Sequence, residues 1–273
     1  MTQPVPKSNG YFDDLSFRIQ NNLRFDDLEF RRFLQEVNKL EQHHVKFELA
    51  GLAYFLQGDK EQALANYKNA LASSMASVET KRNYYFLLRK LGLLNQATDF
   101  ARDLNKVCNI PEFLKSLYLL YVIALDLDGA EDVYDQLHRM NKFEPVEVII
   151  EASKEVDLMK NFCSNVIKKE QLALIGQAAL QTAEEHGCIL LGNRITHLEE
   201  SSHLSVSYVI DCESYTSDQV FDINVSLIDT LIDMELDCIP AVVQFVRLDK
   251  NRVALDGSDV IVKTEEVVNG SQS

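Results

Sequence analysis

The chain has 273 residues, 46% hydrophobic and 25% charged, with ten Gly, five Pro and no Trp; that length suits two domains, and so few breakers favour long helices. The net charge of −15 sits mostly in the second half: residues 1–145 carry 20 acids against 18 Lys/Arg (net −2), and residues 146–273 carry 22 against 9 (net −13). An acid-rich half repels phosphate backbones, which excludes nucleic-acid binding there and fits either a basic protein partner or a solubilising role.

The opening MTQPVPKSNGYFDD lacks the basic and apolar regions of a signal peptide. The longest clean apolar run, residues 117–125, has nine residues, where a membrane span needs roughly twenty. No membrane insertion is expected. Cys108, Cys163, Cys188, Cys212 and Cys238 are odd in number and scattered through apolar surroundings. That pattern suits reduced core thiols in a cytoplasmic protein.

Residues 1–10 read as a loose leader, within a segment 1–25 that has room for one short helix. From Asp26 or Asp27, which can cap a helix, Phe30, Phe33, Leu34, Val37 and Leu40 recur at spacings of three and four. This predicts a helix over 26–42. Residues 47–71, FELAGLAYFLQGDKEQALANYKNAL, then read as two helices folded back at Gly58-Asp59. Gly51 and Ala63 let the backbones approach, while Tyr54 and Tyr67 fill the space beside them.

These residues resemble a tetratricopeptide repeat, in the pattern Phe47, Gly51, Tyr54, Gly58, Ala63, Tyr67 and Ala70. The family's closing Pro is replaced by Met75. The unit recurs: Gly92 and Ala97 lie 34 residues beyond Gly58 and Ala63, and Ala130 lies 33 further on, with Tyr121 and Tyr134 in the places of Tyr54 and Tyr67. The resemblance implies a helical-hairpin solenoid of about three repeats over 26–165, with a helix after Pro145 covering its end. A similarly spaced all-α bundle is the plainer alternative.

Near Lys168 the pattern changes. A long helix runs to Gly187, then CILLGNRI reads as a buried strand. HLSVSYVID alternates, with Leu204, Val206, Tyr208 and Ile210 on one face, and pairs with it through the short loop HLEESS. Residues 216–236 form a helix whose apolar face is Phe221, Val225, Ile228 and Ile232, beside an acidic stripe of Asp218, Asp222, Asp229 and Asp233. A third strand follows in IPAVVQFVRL, then a hairpin of RVAL and DVIVK, and a polar tail over 264–273. The fold class is therefore α + (α+β): a helical repeat domain followed by an acidic α+β domain, 166–263, with a mostly antiparallel sheet.

Little points to catalysis. No HExxH, paired CxxC, GxSxG or phosphate-cradling GK[ST] occurs, and no metal or cofactor is called for. His43 and His44 point about 100° apart on a helix and do not share an ion. Cys212 and Cys238 read as core packing. A helix, ILLGNR and a second strand are similar to the opening of small nucleotidyltransferase domains. Gly192-Asn193 stands at that family's Gly-Ser, but His203, Leu204, Ser205 and Val206 replace its metal-holding carboxylates. This keeps an active or degenerate enzyme as one alternative.

The repeat resemblance places groove residues on each pair's first helix. These are Glu48, Leu52 and Phe55; Arg82, Phe86 and Arg89; and Lys115, Leu119 and Val122. The mixture of apolar and basic side chains predicts a peptide or helix with some acid as ligand. The plainer reading is that the chain's own first helix or second domain fills part of this groove. The expected function is a non-enzymatic adaptor or regulator, with self-association or a second partner assigned to the acidic domain. An acidic inhibitor of a basic partner, of the immunity or antitoxin kind, is a further alternative. The acidic stripe is either a solvated face or a docking surface for such a partner.

Overall fold

The computed structural model describes residues 7–21, 23–140, 147–198, 203–211 and 214–248. The chain divides into two compact units, Met1–Leu91 and Gly92–Ser273, and the described residues are mostly helical with neighbouring helices packed in pairs.

The first unit holds α1 (Lys7–Gln20), α2 (Asp27–Asn38), α3 (His43–Gln57), α4 (Lys60–Leu71) and α5 (Val78–Lys90). Residues 7–10, read from sequence as leader, are the first turn of α1. That helix is amphipathic, and Leu15 is fully buried in a cluster with Phe25, Phe33, Val37, Leu49, Ala53 and Leu56. Asp26 caps α2 by accepting from the Leu28 and Glu29 N–H groups, and Glu29 returns the bond to the Asp26 N–H. α3 and α4 meet where a Cβ on Gly51 would come within 2.6 Å of the fully buried Tyr67 ring. Gly51 is the reason that ring fits.

The second unit holds α6 (Leu94–Leu104), α7 (Pro111–Ile123), α8 (Leu127–Arg139), α9 (Glu147–Asn165), α10 (Lys169–Glu185), β1 (Leu190–Leu198), β2 (His203–Asp211), α11 (Ser217–Asp233) and β3 (Ala241–Leu248). Its α7–α8 turn repeats the chemistry of the α3–α4 turn. In one, Gly58 N–H donates to Phe55 O and Asp59 N–H to Tyr54 O; in the other, Leu125 donates to Val122 and Asp126 to Tyr121. Asp59 then caps Gln62, and Asp126 caps Gly129. The turning residues Gly58, Gly92 and Leu125 all have left-handed backbones, at φ 80°, 74° and 53°. Their spacings of 34 and 33 residues match the sequence periods. The arrangement is compatible with helical repeats.

β1 and β2 form the expected antiparallel hairpin, with a register shift between Leu190 and Gly192. β3, however, runs parallel to β2, from Leu204↔Ala241 to Asp211↔Leu248. The three described strands are thus a mixed sheet, where a mostly antiparallel one was expected. α11 is the reason: a helical crossover returns the chain to the end of the sheet where β2 began, so the next strand runs the same way. The hairpin expected over 252–263 lies outside the described residues. The buried face of β2 carries Leu204, Val206, Tyr208 and Ile210, as its alternation predicts. Tyr208 Oη donates to Ile123 O at 3.0 Å and Asn193 Nδ2 to Val122 O at 3.2 Å, satisfying carbonyls at the end of α7. α10 crosses the α7–α8 turn so closely that a Cβ on Gly176 would overlap Ala124 O.

Candidate functional site

In the first unit, the expected groove residues separate by burial. Glu48 is buried: its Oε2 accepts from Thr80 Oγ1 at 2.9 Å and its Oε1 from Asn83 Nδ2 at 2.7 Å. Burial raises its pKa, against the lowering effect of these two bonds. Glu48 therefore ties α3 to α5 and offers no surface. Leu52 is half-buried and packs on the cluster shared by α1, α2 and α3. Phe55, Arg82, Phe86 and Arg89 are half-buried, so part of each remains open. The Phe86 ring meets Tyr85 edge-on at 5.2 Å, and the Arg89 guanidinium lies 5.9 Å from the Tyr85 ring centre.

In the second unit Lys115 is half-buried, while Leu119 and Val122 are buried and Val122 supplies the carbonyl that Asn193 holds. The unit's own sheet engages this helix. Leu119 and Val122 are not a ligand surface.

The apolar face that the sequence shows on α11 is the exposed one. Phe221, Val225, Ile228 and Ile232 are 67%, 41%, 53% and 52% exposed, and the buried residues are Val220, Ile223 and Leu227. The helix carries two apolar stripes, and periodicity alone does not choose between them. At 100° per residue the four aspartates lie about 80° from the Phe221 stripe and about 140° from the Val220 stripe. Burying the second stripe keeps the carboxylates farthest from the core, where desolvating them would be costly. Asp218, Asp222, Asp229 and Asp233 are all exposed, as expected.

Three polar residues that sequence reasoning passed over organise the second unit. Glu155 on α9 accepts from the Ile195 N–H of β1; burial moves its pKa up to about 8, helped by Glu151 and opposed by that bond and by Arg194. Its Oε2 has no hydrogen-bond partner among the described residues. Asn224 of α11 bonds the backbone of Phe245 in both directions. Glu184 of α10 accepts from the Asn95 and Gln96 N–H groups and so caps α6, which lacks a capping side chain of its own. Asn224 was visible in principle as an amide between two apolar stripes; the other two act across long sequence separations.

A cleft of about 380 Å³ opens between α6, the α7–α8 turn and α10. Its cations are already matched: Lys169 pairs with Asp128 and Glu131, and Arg102 with Asp99 and Asp126. The hydrogen bonds to Asp128 and Glu131 hold the Lys169 ammonium well above its usual range. The cleft reads as a structural ion-pair network. Among the described residues no three His, Cys, Asp or Glu side chains converge as a metal site. Asn193, at the nucleotidyltransferase-like position, is buried and bonded to Val122 O. Cys108 and Cys188 are buried and Cys163 half-buried, but Cys238 is exposed, where core packing was expected. No described helix is long and apolar enough to cross a membrane.

No protein-family model, curated protein or solved structure matches this chain.

Proposed function

We propose that this protein is a non-enzymatic scaffold that binds a peptide or helix of a partner protein on the α3/α5 face of its first unit, as an adaptor or regulator. The observation that carries the reading is the buried Glu48 clamp to Thr80 and Asn83. It fixes α3 against α5 and so holds Phe55, Arg82, Phe86 and Arg89, each half open, on two joined helices. A pre-ordered pair of helices binds without the entropy cost of assembling its own surface. Two aromatic rings offer anchoring area and two guanidinium groups favour carboxylates, so the ligand is an amphipathic segment carrying acid. The resemblance of residues 47–71 to a tetratricopeptide repeat supports the same use of the first helix of each pair.

The test is selection of displayed helical peptides on the full chain, followed by comparison with F55A/F86A/R89A. Enriched sequences should be amphipathic and acidic, and should lose binding to the variant while it stays folded by circular dichroism. Peptides that bind both proteins alike would place the binding surface elsewhere.

A further inference from the structure

We infer that the exposed side of α11 is a second docking surface, independent of the α3/α5 face, and that its occupant is a basic amphipathic helix of another protein. Phe221, Val225, Ile228 and Ile232 follow one another at spacings of four, three and four residues and are all exposed. They form an apolar row about 16 Å long on the solvent side of the helix. Four large apolar side chains in one exposed row are an interaction surface, not the scattered exposure of ordinary surfaces.

The charge beside the row states the partner's chemistry. Asp218, Asp222, Asp229 and Asp233 flank it along the whole helix, and Ser217–Asp233 contains no Lys or Arg. Arg247 of β3 donates to Ser217 Oγ at 2.8 Å, at the start of the helix. A matching helix places Leu- or Ile-like residues at i, i+4 and i+7 over the row and Lys or Arg over the aspartates. The aspartates then act as steering and register-setting charges rather than the main source of affinity.

Other occupants fit less well. Strand addition beside α11 is blocked at Phe245, whose backbone N–H and C=O are both taken by Asn224. A second copy paired antiparallel through α11 would set aspartate against aspartate in a chain of net charge −15. Residues 249–273 hold three Lys/Arg against five Asp/Glu, which is the wrong balance for an acidic edge.

The experiment titrates the full chain into a fluorescent synthetic helix of Leu and Lys, as long as the 17 residues of α11. A scrambled isomer without an apolar row and an isomer with Glu for Lys serve as controls. The expected result is binding of the basic helix alone, weakened at least about tenfold by F221S/I228S. D222N/D229N should also weaken it and should flatten its salt dependence. Equal binding of the scrambled isomer, or unchanged affinity in F221S/I228S, overturns the inference. So does a dimer of the free protein that F221S/I228S dissociates, which would give the face to a second copy. A thiol in F221C that stays unreactive in the free full chain also overturns it, because the chain would then cover α11 itself.

Discussion

The side-chain amide of Asn224 on α11 is bonded in both directions to Phe245 of β3: Nδ2 donates to the Phe245 carbonyl at 3.0 Å, and Oδ1 accepts from the Phe245 N–H at 2.7 Å. Both groups of Phe245 therefore point away from β2, and Asn224 occupies the outer edge of the sheet at that residue. On the opposite side of the sheet, Glu155 accepts from the Ile195 N–H of β1. Among the described residues, each outer strand thus bonds a helix-borne side chain at its outer edge, which limits edge-to-edge association there.

Asn224→Ala strands the Phe245 N–H and carbonyl together. It should cost about 2 kcal/mol in urea unfolding, the penalty expected for two partly buried main-chain groups left without partners. Amide exchange at Phe245 should accelerate more than that at Tyr208 or Ile210.

Glu48 separates charge from hydrogen bonding. Glu48→Ala removes the partner of both Thr80 and Asn83 and leaves a cavity, so a loss of about 2–3 kcal/mol is expected. Glu48→Gln accepts from Asn83 and donates to the Thr80 hydroxyl, and removes a carboxylate whose ionisation burial opposes. Its stability should lie within about 1 kcal/mol of the parent.

The glycines predict a graded series. Gly176→Ala forces a methyl against the Ala124 carbonyl, and Gly51→Ala forces one against the Tyr67 ring. Losses of about 3 kcal/mol or more and about 1–3 kcal/mol are expected respectively, because a backbone atom yields less readily than a ring. Gly10 on α1 meets nothing within 4 Å. Gly10→Ala should therefore stabilise by up to about 1 kcal/mol through helix propensity.

Glu155 makes stability depend on pH. Its folded pKa of about 8 lies above the ordinary carboxyl value of 4.5. Between these values the folded chain holds a proton that the unfolded chain has released. Stability therefore falls as pH rises through that window, by about 1.4 kcal/mol per pH unit at most. Glu155→Gln keeps an acceptor for Ile195 and should flatten this part of the profile.

Local signals in the sequence located most elements, and contacts across the chain decided the rest. Gly58 and Gly92 announced two turns because glycine is the usual left-handed residue. The third turn was placed only by period, since Leu125 takes the same backbone conformation without being glycine. Alternation placed the buried face of β2, but nothing local states that β3 lies parallel to it. On α11, periodicity shows the apolar stripe of Phe221, Val225, Ile228 and Ile232; the position of the aspartates carries the information on which side is buried. The helical position of Glu48 resembles a repeat groove position, yet Thr80 and Asn83, about one repeat later, draw it inside. Leu119 and Val122 were misplaced for a related reason, because the sheet that engages their helix begins some seventy residues downstream in the sequence.

Binding of a partner segment on the α3/α5 face is measured by the affinity of one selected acidic helical peptide for the full chain and for F55A/F86A/R89A. At least about a tenfold loss of affinity is expected in the variant, which should remain folded. Equal affinity for the two folded proteins would contradict it.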